Sequence, residues 1–390
     1  MDYQSLKEEF NKAFGYEGER VYFSPGRINL IGEHTDYNGG HVFPCAITMG
    51  TYGVYAARKD DQVRLYSANL PDAGILTFPI DKLDFDKNDS WAKFPRGVMY
   101  EMAKQGKTVD HGFDLFVHGD LPDASGLSSS ASIELLIGNI LNQEFNWGVD
   151  QMTLIKNGQA VENDYLGLNT GILDQFAIGM GKKNQAVLLD ANTMKYEYVP
   201  VELGDNVIVI MNTNKRRELT DSKYNERRSE CEKAVALLQK GGVDVKTLGD
   251  LSQEEFDKDA YLVNDDTLIK RARHAVIENQ RTLRAKKALS NGQLEEFGKL
   301  VNASHVSLHY DYEVTGKELD TLAETAWKQP GVLGARMTGA GFGGCAIAIV
   351  NKANVDDFIK NVGDVYKKEI GYEASFYVAS IGDGPKEIKA

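Results

Sequence analysis

Leu121 to Leu136 read LPDASGLSSSASIELL. The left half, Leu121 to Gly126, is rich in helix breakers; the right half is the start of an apolar helix carrying Ile133, Leu135 and Leu136. Four hydroxyls, Ser128, Ser129, Ser130 and Ser132, stand at that start. A helix N-terminus offers unpaired N–H groups and a partial positive charge, and a preceding glycine lets a ligand come close to the backbone. The stretch therefore reads either as a phosphate cradle or as a serine-capped helix after a loop.

Outward from this stretch, Phe113, Leu115 and Val117 alternate in a strand that feeds the loop, and Trp91, Phe94, Val98 and Met102 repeat with helical spacing. On the C-terminal side, Asp150 is placed to cap a helix reaching about Tyr165, with Glu162 in it. GILDQFAIGMG, from Gly171, starts another helix with Asp174 in its first turn. An acid there offsets the helix dipole in any protein, so alone it says little. Residues 51–70 read as a hairpin turning at Asp60-Asp61.

The second decisive stretch is VYFSPGRINLIGEHTDYNGGHVFPCAI, Val21 to Ile47. A strand-like triplet, Val21 to Phe23, breaks at Pro25-Gly26. Arg27, Asn29, Glu33, His34, Asp36, Tyr37 and Asn38 then crowd into a dozen residues. So many hydrogen-bonding groups make either a polar surface loop or the lining of a pocket for a hydroxyl-rich ligand. Near the C-terminus, Gly339 to Gly344 (GAGFGG) matches GxGxxG, yet strand-like Cys345 to Val350 follows where a dinucleotide-binding turn needs a helix. A Rossmann reading is excluded; a tight turn remains. Arg217 to about Lys240 forms a charged helix carrying Tyr224, with further helices to about 300 whose charged faces read as solvated surface. His305 and His309 lack the glutamate of a zinc motif and read as helix surface or packing. No Walker loop, serine-hydrolase elbow or protein-kinase motif occurs.

The 390 residues suggest two tightly joined domains, 1–200 and 201–390. A net charge of −13 argues against nucleic acid or an anionic membrane as partner. Cys45, Cys231 and Cys345 are odd in number and far apart, which fits unpaired thiols in a reducing compartment. The N-terminal MDYQSLKEEFNKAF has no signal-peptide character, so a cytoplasmic location is expected; separately, a monomer is the expected state.

Taken together, the motifs resemble those of the GHMP kinase superfamily and, within it, the galactokinase family. GRINLIGEHTDYNGG (Gly26 to Gly40) is similar to the sugar signature, DASGLSSSAS (Asp123 to Ser132) to the phosphate loop, and MTGAGFGG (Met337 to Gly344) to the third motif. GILDQF and SLHYDYEVTGKELD (Ser307 to Asp320) are also similar, although His309 and Thr315-Gly316-Lys317 depart from the pattern. The resemblance implies an α/β, α+β-type fold of two domains with mixed and antiparallel sheets and the site in the cleft between them. It implies phosphoryl transfer from ATP to the C1 hydroxyl of galactose, with N-acetylgalactosamine or a non-catalytic sugar sensor as alternatives. It further implies Asp174 as base with Arg27 as its electrostatic partner. Glu33, His34, Thr35, Asp36, Gly171, Asp174 and Tyr224 would bind the sugar. Ser67 and the loop Ala124, Ser125, Gly126, Leu127, Ser128, Ser129 and Ser130 would bind the nucleotide. Ser130 and Glu162 would hold Mg²⁺. An aspartate, with reference pKa about 3.9, is too weak a base to ionise the hydroxyl beforehand; the proton moves late, as the phosphorus–oxygen bond forms.

Overall fold

The computed structural model describes residues 2–122, 125–215 and 220–389, without the side chains of Thr220 and Asp221. Three sheets organise them. The first has six strands in the order Lys386–Ile388, Arg20–Asn29, Pro44–Ala57, Phe113–Gly119, Gln62–Ser67 and Leu76–Pro79. All neighbours are antiparallel except Phe113–Gly119 with Gln62–Ser67. The second has four antiparallel strands in the order Val332–Thr338, Cys345–Asn351, Asn206–Asn212 and Ser375–Ala379. A small third sheet joins His41–Val42, Gln185–Asp190 and Tyr196–Pro200. The fold is thus mixed α/β with mixed and antiparallel sheets.

Two local expectations are corrected. Strand Arg20–Asn29 does not break at Pro25-Gly26; it runs through them with a register shift between Pro25 and Arg27. That bulge re-aims the chain so that Arg27 turns toward the site. Residues 51–70 are not a hairpin. Strand Phe113–Gly119 lies between the two supposed partners, pairing antiparallel with Pro44–Ala57 and parallel with Gln62–Ser67. The alternation encoded the buried face of Gln62–Ser67 correctly, but not its neighbour.

The helix Ser129–Glu144 buries residues on nearly every side, Ala131 to Gly138 in an unbroken run, which is why it sits inside rather than on the molecule. It packs with the short helix Leu173–Gly179 on strands Arg20–Asn29 and Pro44–Ala57. One apolar cluster draws on both halves of the sequence, joining Ile28, Phe43 and Ile47 to Ile208, Phe297 and Ile347. Charged helices of the C-terminal half are less solvated than their composition suggests: Arg271, His274 and Glu278 are buried. No helix among the described residues is long and apolar enough to cross a membrane.

Candidate active site

The bulge in strand Arg20–Asn29 delivers Arg27 to the floor of a cleft, where its side chain is only 4% exposed. Its Nε and Nη2 reach Asp174 Oδ1 at 2.9 and 2.8 Å. Its Nη1 donates to the Gly126 carbonyl at 2.7 Å, and its backbone N–H to the Leu127 carbonyl at 3.2 Å. One arginine therefore ties an acid to the loop ahead of the Ser129–Glu144 helix. Asp174 keeps about a third of its side chain exposed (34%) and receives the Ser128 hydroxyl on Oδ2. Ser128 stands at the N-cap in left-handed conformation (φ 64°) and makes no side-chain capping bond. The serine-cap reading fails here: the hydroxyl that would have closed the helix end is turned to Asp174.

At the second residue of that helix, Ser130 Oγ donates to Glu162 Oε1 at 2.9 Å, and Thr170 Oγ1 donates to Glu162 Oε2 at 2.8 Å. Glu162 lies in a single π-helical stretch, Val161–Tyr165, that follows the helix Gln151–Ala160. Such widened turns reposition a side chain that a regular helix would aim elsewhere. Burial, and then the charge of Asp174, push the Glu162 carboxyl above its ordinary range.

The other end of the cleft comes from the segment after Asn29. Glu33 accepts from Asn29 Nδ2 (2.6 Å), Gly339 N (2.7 Å) and Arg336 Nη1 (3.3 Å), all buried. His34, at φ 61°, engages both ring nitrogens, Nδ1 with Tyr37 OH at 2.8 Å and Nε2 with the Ala340 carbonyl at 3.1 Å. Loss of water, and then the neighbouring His274, lower its pKa to about 3, so the ring is neutral; Nε2 donates and Nδ1 accepts. Asp36 Oδ2 accepts from Leu173 N at 3.2 Å, and loss of water raises its pKa to about 6 despite that bond. Gly171 is glycine for room: a Cβ there would stand 1.8 Å from Asp36 Oδ2. Gly339 likewise lets its turn lie against the Gly126 carbonyl and Arg27, at a φ of 86°.

Arg27, Glu33, His34, Asp36, Glu162, Gly171, Asp174 and Tyr224 all line this one cleft, with Leu168, Asn169, Thr170, Leu173, Asn225, Gly339 and Ala340. It encloses about 800 Å³ open to solvent. Not every expected residue is brought there. Thr35 is buried, with its hydroxyl committed to the Gly32 and His41 carbonyls at 2.8 and 2.6 Å. Ser67 ends its strand, buried and away from the cleft lining. Ser125 is buried and Ser129 exposed; Gly126 and Leu127 serve through their carbonyls. Ala124 lies outside the described residues.

The sequence reading missed Thr170 and Arg336, and it named Asn29 in the polar segment without giving it a role. Arg336 carried a signal, a lone cation in the apolar strand VLGARMT; Thr170 carried none.

A family model described as the galactokinase galactose-binding signature matches residues 8–57. Models for the GHMP kinase N-terminal domain and C-terminal region match 93–182 and 285–368. The galactokinase of Lactiplantibacillus plantarum is 68% identical over 388 residues, covering 100% of both chains. The chain belongs to the galactokinase family. The Streptococcus thermophilus galactokinase is 57% identical over the same length, again with 100% of both chains covered. The crystal structure of Lactococcus lactis galactokinase complexed with galactose superposes with a TM-score of 0.96 at 55% identity, covering 99% of each chain. Methanococcus jannaschii mevalonate kinase, at 18% identity and TM-score 0.66 over 94% of this chain and 99% of its own, shares the fold.

Proposed function

We propose that this galactokinase-family chain transfers the γ-phosphoryl group of ATP to the C1 hydroxyl of galactose, giving galactose 1-phosphate and ADP. The observation that carries the mechanism is the pairing of Arg27 with Asp174 in a cleft that Glu162 also lines, with Ser130 hydrogen-bonded to Glu162. Asp174 is the base. It needs no strength beyond that of a carboxylate, because the C1 proton passes to it as the phosphorus–oxygen bond forms and the hydroxyl acidifies. Arg27 fixes the carboxylate in place with two nitrogens on one oxygen and offsets charge as it develops. Ser128 holds the other Asp174 oxygen until substrate arrives.

The uncapped start of the Ser129–Glu144 helix takes the nucleotide phosphates. Ser130 and Glu162 fit Mg²⁺: they are hard oxygen donors 2.9 Å apart, this ion commonly takes only one or two protein ligands, and a cation there offsets the crowding of Glu162 by Asp174. When bound, the metal neutralises charge on the phosphate oxygens. Asp36, Gly171 and Tyr224 face the sugar. Glu33 and His34 shape its pocket through bonds already made within the protein.

ADP release is to be measured with Mg²⁺ and ATP against galactose, N-acetylgalactosamine, glucose, mevalonate and homoserine. Turnover of galactose is expected. Turnover of N-acetylgalactosamine in its place would replace the substrate, and tight galactose binding without ADP release from any acceptor would replace catalysis by sensing.

A further inference from the structure

Beneath the cleft, three helices meet at a pair of side chains with no assigned part in the reaction. Glu134, in Ser129–Glu144, is 1% exposed; Gln175, in Leu173–Gly179, is fully buried. Gln175 Nε2 donates to Glu134 Oε2 at 3.0 Å. The third helix, Gln151–Ala160, makes room with Gly158, where a Cβ would stand 2.9 Å from Gln175 Cγ and 3.2 Å from Glu134 Oε2. Each of these helices also carries or adjoins one group of the candidate site. Ser130 is one turn before Glu134, Glu162 directly follows the Gly158 helix, and Asp174 precedes Gln175.

The pair leaves two buried oxygens without partners, Glu134 Oε1 and Gln175 Oε1, one on each of two planar groups already joined by a bond. Two acceptors cannot satisfy each other, and buried acceptors are costly to leave unmet. One proton removes both defects. With Glu134 Oε1 as a hydroxyl donating to Gln175 Oε1, carboxyl and amide close a ring of two opposed hydrogen bonds. We propose that Glu134 is a positioning residue, held protonated, whose two-way bond with Gln175 fixes the Asp174 helix against Ser130 and Glu162. The surroundings agree. Burial raises the Glu134 pKa well above the carboxylate range, and the charged groups that act on it, Glu162 and Asp174, are both acids. The positioning role rests on the reading of Asp174, Ser130 and Glu162 given above; the protonation does not.

The test has two arms. An infrared difference spectrum between wild type and Glu134→Gln, without nucleotide or metal, is expected to show the C=O stretch of a protonated carboxyl; its absence overturns the protonation whatever the enzyme's activity. In the second arm, Glu134→Gln presents an N–H to Gln175 Oε1 and keeps both bonds. It is expected to hold kcat and melting temperature near wild type. Glu134→Leu, which cannot pair, is expected to lower kcat roughly 10²-fold, the scale of a small misplacement of reacting groups. Its galactose affinity by calorimetry should stay within about threefold. Should the leucine variant not fold, Glu134→Asp, one methylene shorter, is expected to lose kcat in the same way with the acid retained. A Gln variant as impaired as the Leu or Asp variant, or a Leu variant with full kcat, overturns the proposal.

Discussion

At one end of the cleft Asp174 leaves a third of its side chain open and is held by Arg27 and Ser128. At the other, Glu33 and His34 are sealed, and both side-chain polar atoms of each are bonded to other protein groups. Both sets line the same space, yet they are prepared for different work. A group that must accept a proton from substrate needs access and bonds it can release. A group that must give a pocket its shape does better with bonds that never change. Asp36 lies between these cases, with Leu173 N on one oxygen and a raised pKa.

The contrast breaks first at Asp174. Asp174→Asn keeps the size and loses the base, and kcat is expected to fall by about 10²–10⁴ while calorimetry still detects galactose. Retention of more than about a tenth of kcat, worth ~1.4 kcal/mol of barrier, would remove Asp174 from that role. The closed end fails differently. Arg336 is fully buried against Glu33, so Arg336→Met leaves a buried carboxylate short of its cation. The expected cost is about 3–5 kcal/mol of stability in urea unfolding, with loss of galactose affinity alongside. A cost below ~1 kcal/mol would show that Asn29 and Gly339 suffice to hold Glu33.

This division also explains what the sequence disclosed. The open end was legible because its chemistry is local. A glycine–serine loop before an apolar helix is a short contiguous pattern, and so is an acid in a helix's first turn, although Ser128 and Asp174 lie 46 residues apart; the resemblance supplied their roles. The closed end is made by distance. Glu33 meets Gly339 and Arg336 some three hundred residues away, and Gly32 N meets Glu278. Nothing in GEHTD says that its glutamate will be satisfied by a strand near the C-terminus. The supposed hairpin at 51–70 failed for the same reason: alternation reports which face is buried, and the partner strand is chosen by the whole sheet. Charged C-terminal helices were read as surface because composition cannot show that Arg271 and Glu278 find partners inside.

Gly171→Ala sharpens the boundary between the two ends. The backbone at Gly171 is not left-handed, so the substitution acts through space alone: the new methyl stands where Asp36 Oδ2 now lies. Asp36 must swing away, and the KM for galactose is expected to rise about 10²-fold, more than kcat falls. An unchanged KM would show that Asp36 does not face the sugar.

The smallest effect concerns pH and tells Asp36 from His34. An acid limb near pH 6 in kcat/KM is ordinarily assigned to histidine, but His34, with a pKa of about 3, is neutral throughout that range. Asp36, at about 6, is the group that titrates there. Its ionised form accepts a sugar hydroxyl better, so kcat/KM for galactose is expected to fall, by at most about tenfold per unit, as the pH drops below 6. Stability responds with the opposite sign. The folded pKa lies above the 3.8 of an unperturbed aspartate, so ionised Asp36 costs stability above pH 6. As pH falls from about 6 toward 3.8 the folded protein takes up a proton that the unfolded chain does not, and this group's penalty disappears. Profiles of kcat/KM and of urea midpoint from pH 5 to 8 are expected to diverge in wild type. Asp36→Asn should flatten the limb and His34→Gln should keep it; a limb lost with His34 instead would assign the titration to the imidazole.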